Sequence, residues 1–265
     1  MLRQLAVTRP DTFPEKRLAT DTETAELQSL EEFIEEGYVS DVLTVIKRGK
    51  EAAAYLCRGT KKLGHDFAVE KVYFDSERRN FHSAAAYTEG RVILEGHVRR
   101  AVENHSAAGK RIAASMWVEH EFETLSALAY AGCDVPEVFG STGGAILMEY
   151  AGTEGAATPQ LQFASMDREE AATVLDRVLW NIEAFMRENV IHGDLSAFNI
   201  LYAGAGTLRI IDFPQAVDPR FSPSAQKLLE RDLRNVGRYF GRYGLELDPE
   251  RMARNLWNLW KFGDL

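Results

Sequence analysis

Two periods of hydrophobic and polar residues run along this chain, and the changes between them mark its parts. Residues 22–36 carry Leu27, Leu30 and Ile34 at helical spacing, with Glu31, Glu32, Glu35 and Glu36 as a solvated face and Gly37 closing the segment. Three strand-like runs follow at 42–46, 52–57 and 67–74, the first two joined by the turn Lys47-Arg48-Gly49-Lys50-Glu51. Residues 75–106 are long, polar and poorly periodic, which reads as a functional or disordered loop. From 107 to 131 the spacing turns helical, with Ile112, Met116, Phe122, Leu125, Leu128 and Ala129 as an apolar stripe. A strand entering at 135–139, a turn over 140–144 and a strand at 145–150 come next, then an Ala-, Gly- and Thr-rich loop over 153–165. Asp167 is placed to cap a long helix ending near Asn189, whose buried face is Val174, Val178, Leu179, Ile182, Phe185 and Met186. Two short strands, 199–202 and 208–211, flank a hairpin connection. Pro214, Pro219 and Pro223 then break the chain before helices at 224–242 and 249–262, where Leu256, Trp257, Leu259 and Trp260 read as packing. No internal repeat is present.

Composition narrows the class. The chain has 265 residues, 45% of them hydrophobic, enough for one large domain or two lobes with a core. No apolar run approaches the roughly 20 residues of a membrane span. The first ten residues lack the apolar stretch and cleavage site of a signal peptide. Cys57 and Cys133 stand alone in apolar surroundings and read as buried free thiols, which suits a reducing cytoplasm. A formal net charge of −9 argues against a charge-driven nucleic-acid binder. The basic groups Arg58, Lys61 and Lys62, Arg78 and Arg79, Arg99 and Arg100, and Lys110 and Arg111 read as solvated surface. His82, His97 and His105 lack metal-ligand spacing.

The chemistry concentrates in residues 191–213, where His192, Asp194, Asn199 and Asp212 sit on an apolar frame. Phosphoryl transfer needs positioned oxygens, a divalent metal and a positive clamp, with little covalent help. Asp194 can accept or orient the proton of an attacking hydroxyl. Asn199 stands five residues on and Asp212 thirteen further. A hairpin between them brings the residue before its first strand beside the residue after its second, so both can hold Mg²⁺, a hard ion that takes oxygen ligands. Upstream, two strands joined by a Gly-containing turn and a third carrying Lys71 match the way a kinase small lobe begins, the turn covering phosphates and the lysine pairing with them. One glutamate of the following helix then pairs with that lysine; Glu121 is the choice, with Glu119 and Glu123 as alternatives because periodicity leaves the register open. Met148-Glu149-Tyr150-Ala151 links the two halves, where backbone groups of Glu149 and Ala151 can read an adenine edge.

These pieces resemble the RIO family of atypical serine protein kinases. The matching segments are Gly49-Lys50-Glu51-Ala52, Lys71-Val72-Tyr73, Trp117-Val118-Glu119-His120-Glu121, Met148-Glu149-Tyr150, His192-Gly193-Asp194-Leu195-Ser196 through Asn199, and Ile211-Asp212-Phe213-Pro214-Gln215, in family order. The resemblance implies an α+β, two-lobed protein-kinase-like fold, with a small β-rich N-lobe holding one long helix and a mainly helical C-lobe. It also implies loss of the activation loop and peptide-docking subdomain. The expected division is an N-terminal extension with an acidic helix over 1–38, an N-lobe over 39–150 with a flexible insert at 75–106, and a C-lobe over 151–265. It further implies ATP with Mg²⁺, Mn²⁺ being a substitute, a protein substrate with a serine acceptor, and autophosphorylation. Asp194 is then the catalytic base, Lys71 and Glu121 the phosphate clamp, and Asn199 and Asp212 the metal ligands. Gly49, Lys50, Glu51, Met148, Glu149 and Ala151 complete the nucleotide site. In this family the metal-binding aspartate can itself take the phosphate, which makes Asp212 the candidate for an ATPase switch. A ribosome-related partner is a further expectation. Two departures stand out: Lys47 and Arg48 replace the usual Ser-Thr before the glycine turn, and Glu70 precedes Lys71 where an apolar residue or lysine is usual. Adjacent strand side chains face opposite ways, so Glu70 need not oppose the site. The competing readings are a small-molecule kinase of the aminoglycoside or choline type, and a nucleotide-binding assembly factor with little kinase activity.

Overall fold

The computed structural model describes residues 29–74, 107–153 and 155–265, and of residues 107–114 only the helical backbone. The expectations for Leu27, for the 75–106 insert with its histidines and paired arginines, and for the side chains of Lys110, Arg111 and Ile112 lie outside the described residues.

The N-terminal half is a five-stranded antiparallel sheet. Its strands are β1 (Val39–Arg48), β2 (Ala52–Gly59), β3 (Phe67–Tyr73), β4 (Val138–Ser141) and β5 (Ala145–Glu149), in the order β1-β2-β3-β5-β4. Period-two alternation gives the sheet two unlike faces. On β3, Ala68, Glu70 and Val72 are buried on one side, while Val69, Lys71 and Tyr73 stand half-buried on the other. The helical segment 29–35 covers the first face, packing Leu30 and Phe33 against Tyr55, Cys57, Ala68, Val72 and Leu147. Phe33 takes the inward place expected of Ile34, which is 39% exposed. The helix end decides this. Gly37, at φ 77°, donates its N–H to the Ile34 carbonyl and Tyr38 donates to that of Phe33, a Schellman closure that ends the helix one residue past Ile34 and turns the chain into β1.

On the opposite side α1 (Ala107–Tyr130) packs along β4 and β5. Leu125 and Leu128 of its expected stripe are buried, Phe122 and Ala129 pack at its margin, and the buried side extends to Trp117, Val118 and Glu121. Gly140 and Ser141 belong to β4 rather than to the following turn, which tightens to 142–144 around a bond from Thr142 N–H to the Ala145 carbonyl.

The C-terminal half is mainly helical. In place of a plain loop over 153–165 the chain makes the two-residue strands β6 (Gly152–Thr153) and β7 (Ala156–Ala157) and a 3₁₀ turn at Leu161–Phe163. Asp167 caps α2 (Arg168–Arg187), accepting the Glu170 N–H at 2.9 Å. Val174, Val178, Ile182, Phe185 and Met186 of α2 enter one large core with Leu195, Ile210, Phe213, and Leu229 and Leu233 of α3 (Ala225–Phe240). The last helix, α4 (Pro249–Phe262), packs through Leu256, Trp257 and Trp260, while Leu259, expected inside, is 41% exposed. Trp260 also donates its indole N–H to Asn189 just past α2, at 3.1 Å, which ties the last turns of α4 to the end of α2. Between these helices lies the hairpin β8 (Ile200–Gly204) and β9 (Thr207–Ile210).

Candidate active site

The β8–β9 register pairs Ile200 with Ile210, so the residues just outside the hairpin converge: Ile211 N–H donates to the Asn199 carbonyl at 2.9 Å. Asn199 and Asp212 therefore flank one point. The Asn199 amide is oriented by its partner. A carbonyl only accepts, so Nδ2 faces the Asp194 carbonyl at 3.0 Å and Oδ1 is turned away as an acceptor. Asp212 holds a left-handed backbone, φ 75°, an uncommon conformation for a non-glycine residue and one that concentrates at functional sites.

Lys71 joins the two halves. Its Nζ donates to Glu121 Oε1 and Oε2 at 2.9 and 3.0 Å and to Asp212 Oδ1 at 2.7 Å. Glu121 Oε1 also accepts the Phe213 N–H at 2.9 Å, which fixes the backbone right after Asp212 to the helix. Glu121 is buried, whereas Glu119 and Glu123 are exposed. Burial opposes a charge on Lys71, yet Asp212 and Glu121 outweigh it and hold the ammonium pKa above its ordinary value. Lys71 in turn holds the Asp212 carboxyl below the usual range against the effect of burial. Glu121 goes the other way: burial pushes it up, only partly opposed by Lys71, and Asp212 adds to the rise.

His192 underlies the loop. It is 2% exposed, and burial lowers its pKa to about 4, so the ring is neutral at pH 7. The Ile211 carbonyl lies 3.1 Å from Nε2 and must accept from it, leaving Nδ1 to accept the Asp194 N–H at 3.3 Å. Gly193 has φ 77°, and a Cβ there would lie 2.6 Å from the Gln215 carbonyl oxygen, so this position admits only glycine without rearrangement. Asp194 presents an exposed carboxylate. Partial burial raises its pKa, the Arg231 guanidinium opposes that, and Asp212 adds to it.

Asp232 on α3 was not anticipated. It is 2% exposed and accepts the N–H groups of Gly193 and Leu195, at 2.8 and 2.9 Å, one to each carboxylate oxygen. Burial raises its pKa to about 7. Arg231 donates to the Gly193 carbonyl and Asn235 to that of Leu195, so α3 grips the loop on both sides of Asp194. The available signal was a carboxylate on the apolar stripe Leu229, Leu233, Val236 and Phe240.

The remaining expected residues lie as follows. Gly49 and Lys50 are exposed and Glu51 is half-buried on the β1–β2 turn, and among the described residues none bonds to Lys71, Asp194 or Asp212. Met148 is 7% exposed. Glu149 gives its N–H to the Glu137 carbonyl at 2.7 Å, and the Ala151 carbonyl accepts from Thr158 at 2.9 Å. The Glu149 carboxylate is taken by Arg209 of β9 through two bonds of 3.1 Å, a clamp between the two halves with no sequence signal of its own. Cys57 and Cys133 are buried free thiols. No helix among the described residues is long and apolar enough to cross a membrane.

A strand lysine paired with a helix glutamate, set against a loop carrying an Asp and an Asn and a second Asp beyond it, defines the protein-kinase-like class. Within that class the chain belongs to the RIO family, since the sequence model of the RIO domain matches residues 57–252. It is 32% identical over 137 residues to the RIO-type serine/threonine-protein kinase Rio1 of Thermoplasma acidophilum, covering 52% of this chain and 70% of that one. Against Rio2 of Methanocaldococcus jannaschii it is 36% identical over 135 residues, 51% of this chain and 48% of the relative. The serine/threonine-protein kinase RIO1 of Caenorhabditis elegans is 28% identical over 213 residues, 80% of this chain but 39% of the relative. The matched region thus spans less than half of the last two relatives.

Proposed function

We propose that this chain is a RIO-type serine/threonine protein kinase that transfers the γ-phosphoryl group of ATP to a protein hydroxyl, its own serines included. The observation that carries this reading is the contact of Lys71 with both Glu121 and Asp212 at 2.7–3.0 Å, beside the Asp194–Asn199 loop. Lys71 holds the phosphates and Glu121 holds Lys71. Asp194 accepts or orients the hydroxyl proton, and its raised pKa moves it toward what a proton acceptor needs. Residues 39–150 act as the N-lobe and 151–265 as the C-lobe, with Met148, Glu149 and Ala151 lining the adenine side and Gly49, Lys50 and Glu51 over the phosphates.

The donor set suits a hard divalent ion. Among the described residues no three His, Cys, Asp or Glu side chains form a cage. The Asn199 amide oxygen and the Asp212 carboxylate are instead a two-residue set of the kind that holds Mg²⁺ together with phosphates. When bound, the ion neutralises charge on the transferring phosphoryl group.

The test follows the label from γ-labelled ATP with Mg²⁺ in wild type, Asp194→Ala and Asp212→Ala. Acid-stable label on the protein, lost in both variants, supports the serine kinase. Acid-labile label that depends on Asp212 moves the reading to an aspartyl-phosphate ATPase switch. ATP consumption only with an added small hydroxyl compound moves it to a small-molecule kinase.

A further inference from the structure

The end of β1 carries two adjacent basic residues, and the sheet sends them to opposite faces. The register pairs Lys47 with Ala54, Ala54 with Lys71, and Lys71 with Ile146. Residues directly opposite one another across antiparallel strands share a face, so Lys47 stands on the face of Lys71. Arg48 pairs with Ala53 and through it with Val72, on the face covered by segment 29–35. There its guanidinium is committed, donating to the Tyr55 hydroxyl at 2.9 Å and lying 5.1 Å from the Phe74 ring centroid. Lys47 is exposed and makes no hydrogen bond or ion pair among the described residues.

The charge on that face is unbalanced. Lys71 supplies one positive charge, and it is divided between Glu121 and Asp212, with Asp194 opening on the same cleft. A phosphate chain adds more negative charge, which one already-paired lysine offsets poorly.

Resting on the ATP reading above, we infer that Lys47 is a further phosphate-binding cation of this cleft, beside Lys71 and the turn's Lys50, supplied by the end of β1 on the Lys71 face of the sheet, and that Arg48 beside it takes no part. The bland alternative, a solvated surface lysine, predicts no nucleotide effect at all.

The experiment measures binding of ATP, with Mg²⁺, and of adenosine by titration calorimetry to wild type, Lys47→Met, Lys47→Arg and Arg48→Met. Each variant's melting temperature is recorded alongside. For Lys47→Met the expected result is about tenfold weaker ATP binding, the scale of one charge-assisted contact at an exposed position. Its adenosine affinity and melting temperature should match wild type. Lys47→Arg keeps most of the ATP affinity. Arg48→Met binds ATP as wild type does and melts lower, because its contacts are on the packed face. Equal ATP affinity in wild type and Lys47→Met overturns the inference while leaving the kinase reading intact. A parallel loss of adenosine binding also overturns it, by showing a general distortion of the cleft. Failure of wild type to bind ATP overturns the kinase reading, and this inference with it.

Discussion

Glu70 neighbours Lys71 in sequence but faces away from it, into the apolar layer between the sheet and segment 29–35. Its exposure is 0%, Oε1 has no hydrogen-bond partner, and the neighbour of Oε2 is the Cys57 thiol at 4.0 Å. Burial, with Glu32 of the covering segment adding, raises its pKa from 4.5 to about 8. Burial likewise pushes Cys57 up to about 12, so the thiol stays protonated over the same range. Below pH 4.5 the folded and unfolded chains both hold the Glu70 proton, and it has no effect on stability. Between 4.5 and 8 the unfolded chain ionises while the folded chain does not, which lowers stability by about 1.36 kcal/mol per pH unit. Above 8 both are ionised and the loss levels off. At pH 7 the loss from this one residue is therefore on the order of 3 kcal/mol, a large fraction of a domain's total stability. Glu70→Gln removes the titration. It buries an amide in place of the acid, and the free-energy difference that this swap introduces is independent of pH. Urea unfolding of both proteins at pH 5, 6 and 7 should show the difference moving in favour of the glutamine by about 2–3 kcal/mol across that range. Titrations elsewhere are common to both proteins and cancel. A difference that stays constant from pH 5 to 7 would show that Glu70 ionises normally in the folded protein, and the reasoning from its burial would be wrong.

Two further outcomes follow from the site. Lys71→Met leaves the buried Glu121 without its cation, and thermal or urea unfolding should show a loss of about 3–5 kcal/mol along with abolished labelling, while Glu121→Gln, which leaves no stranded charge, should cost less. Asp232→Asn keeps the shape but replaces one of the two acceptor oxygens with an NH₂ facing a backbone N–H; at about 1–3 kcal/mol for that contact, kcat should fall roughly 10- to 100-fold with the KM for ATP little changed, and an unaltered kcat would show that α3 does not hold the loop in place.

The residues legible in the sequence are those whose chemistry and spacing are local. Asp194 and Asn199 sit on one short loop, and the hairpin between Asn199 and Asp212 predicts their convergence from its own turn residues. Lys71 was legible as the lysine of the third strand after a glycine-containing turn, and strand parity set Glu70 on the other face. Glu121 was one of three candidates, because a stripe read as Ile112, Met116 and Phe122 left its register open; the packed side in fact runs through Trp117, Val118 and Leu125, and that rotation buries Glu121 while exposing Glu119 and Glu123. Ile34 and Leu259 each lie in the last turns of a helix, beside a neighbour that takes the inward place: Phe33 for the first, and for the second Trp260, whose indole also bonds Asn189. Asp232 and Arg209 were out of reach because their partners are distant in sequence: the first serves backbone groups of a loop 37 and 39 residues away, the second a carboxylate 60 residues away. A side chain whose function is to accept another segment's N–H groups leaves no pattern of its own beyond a polar residue on an apolar face. Glu70 and Asp232 are both polar residues on apolar faces, yet one has a single long thiol contact and the other accepts two N–H groups. Inward-facing carboxylates are thus the positions at which pattern reading should be suspended until the partners are known.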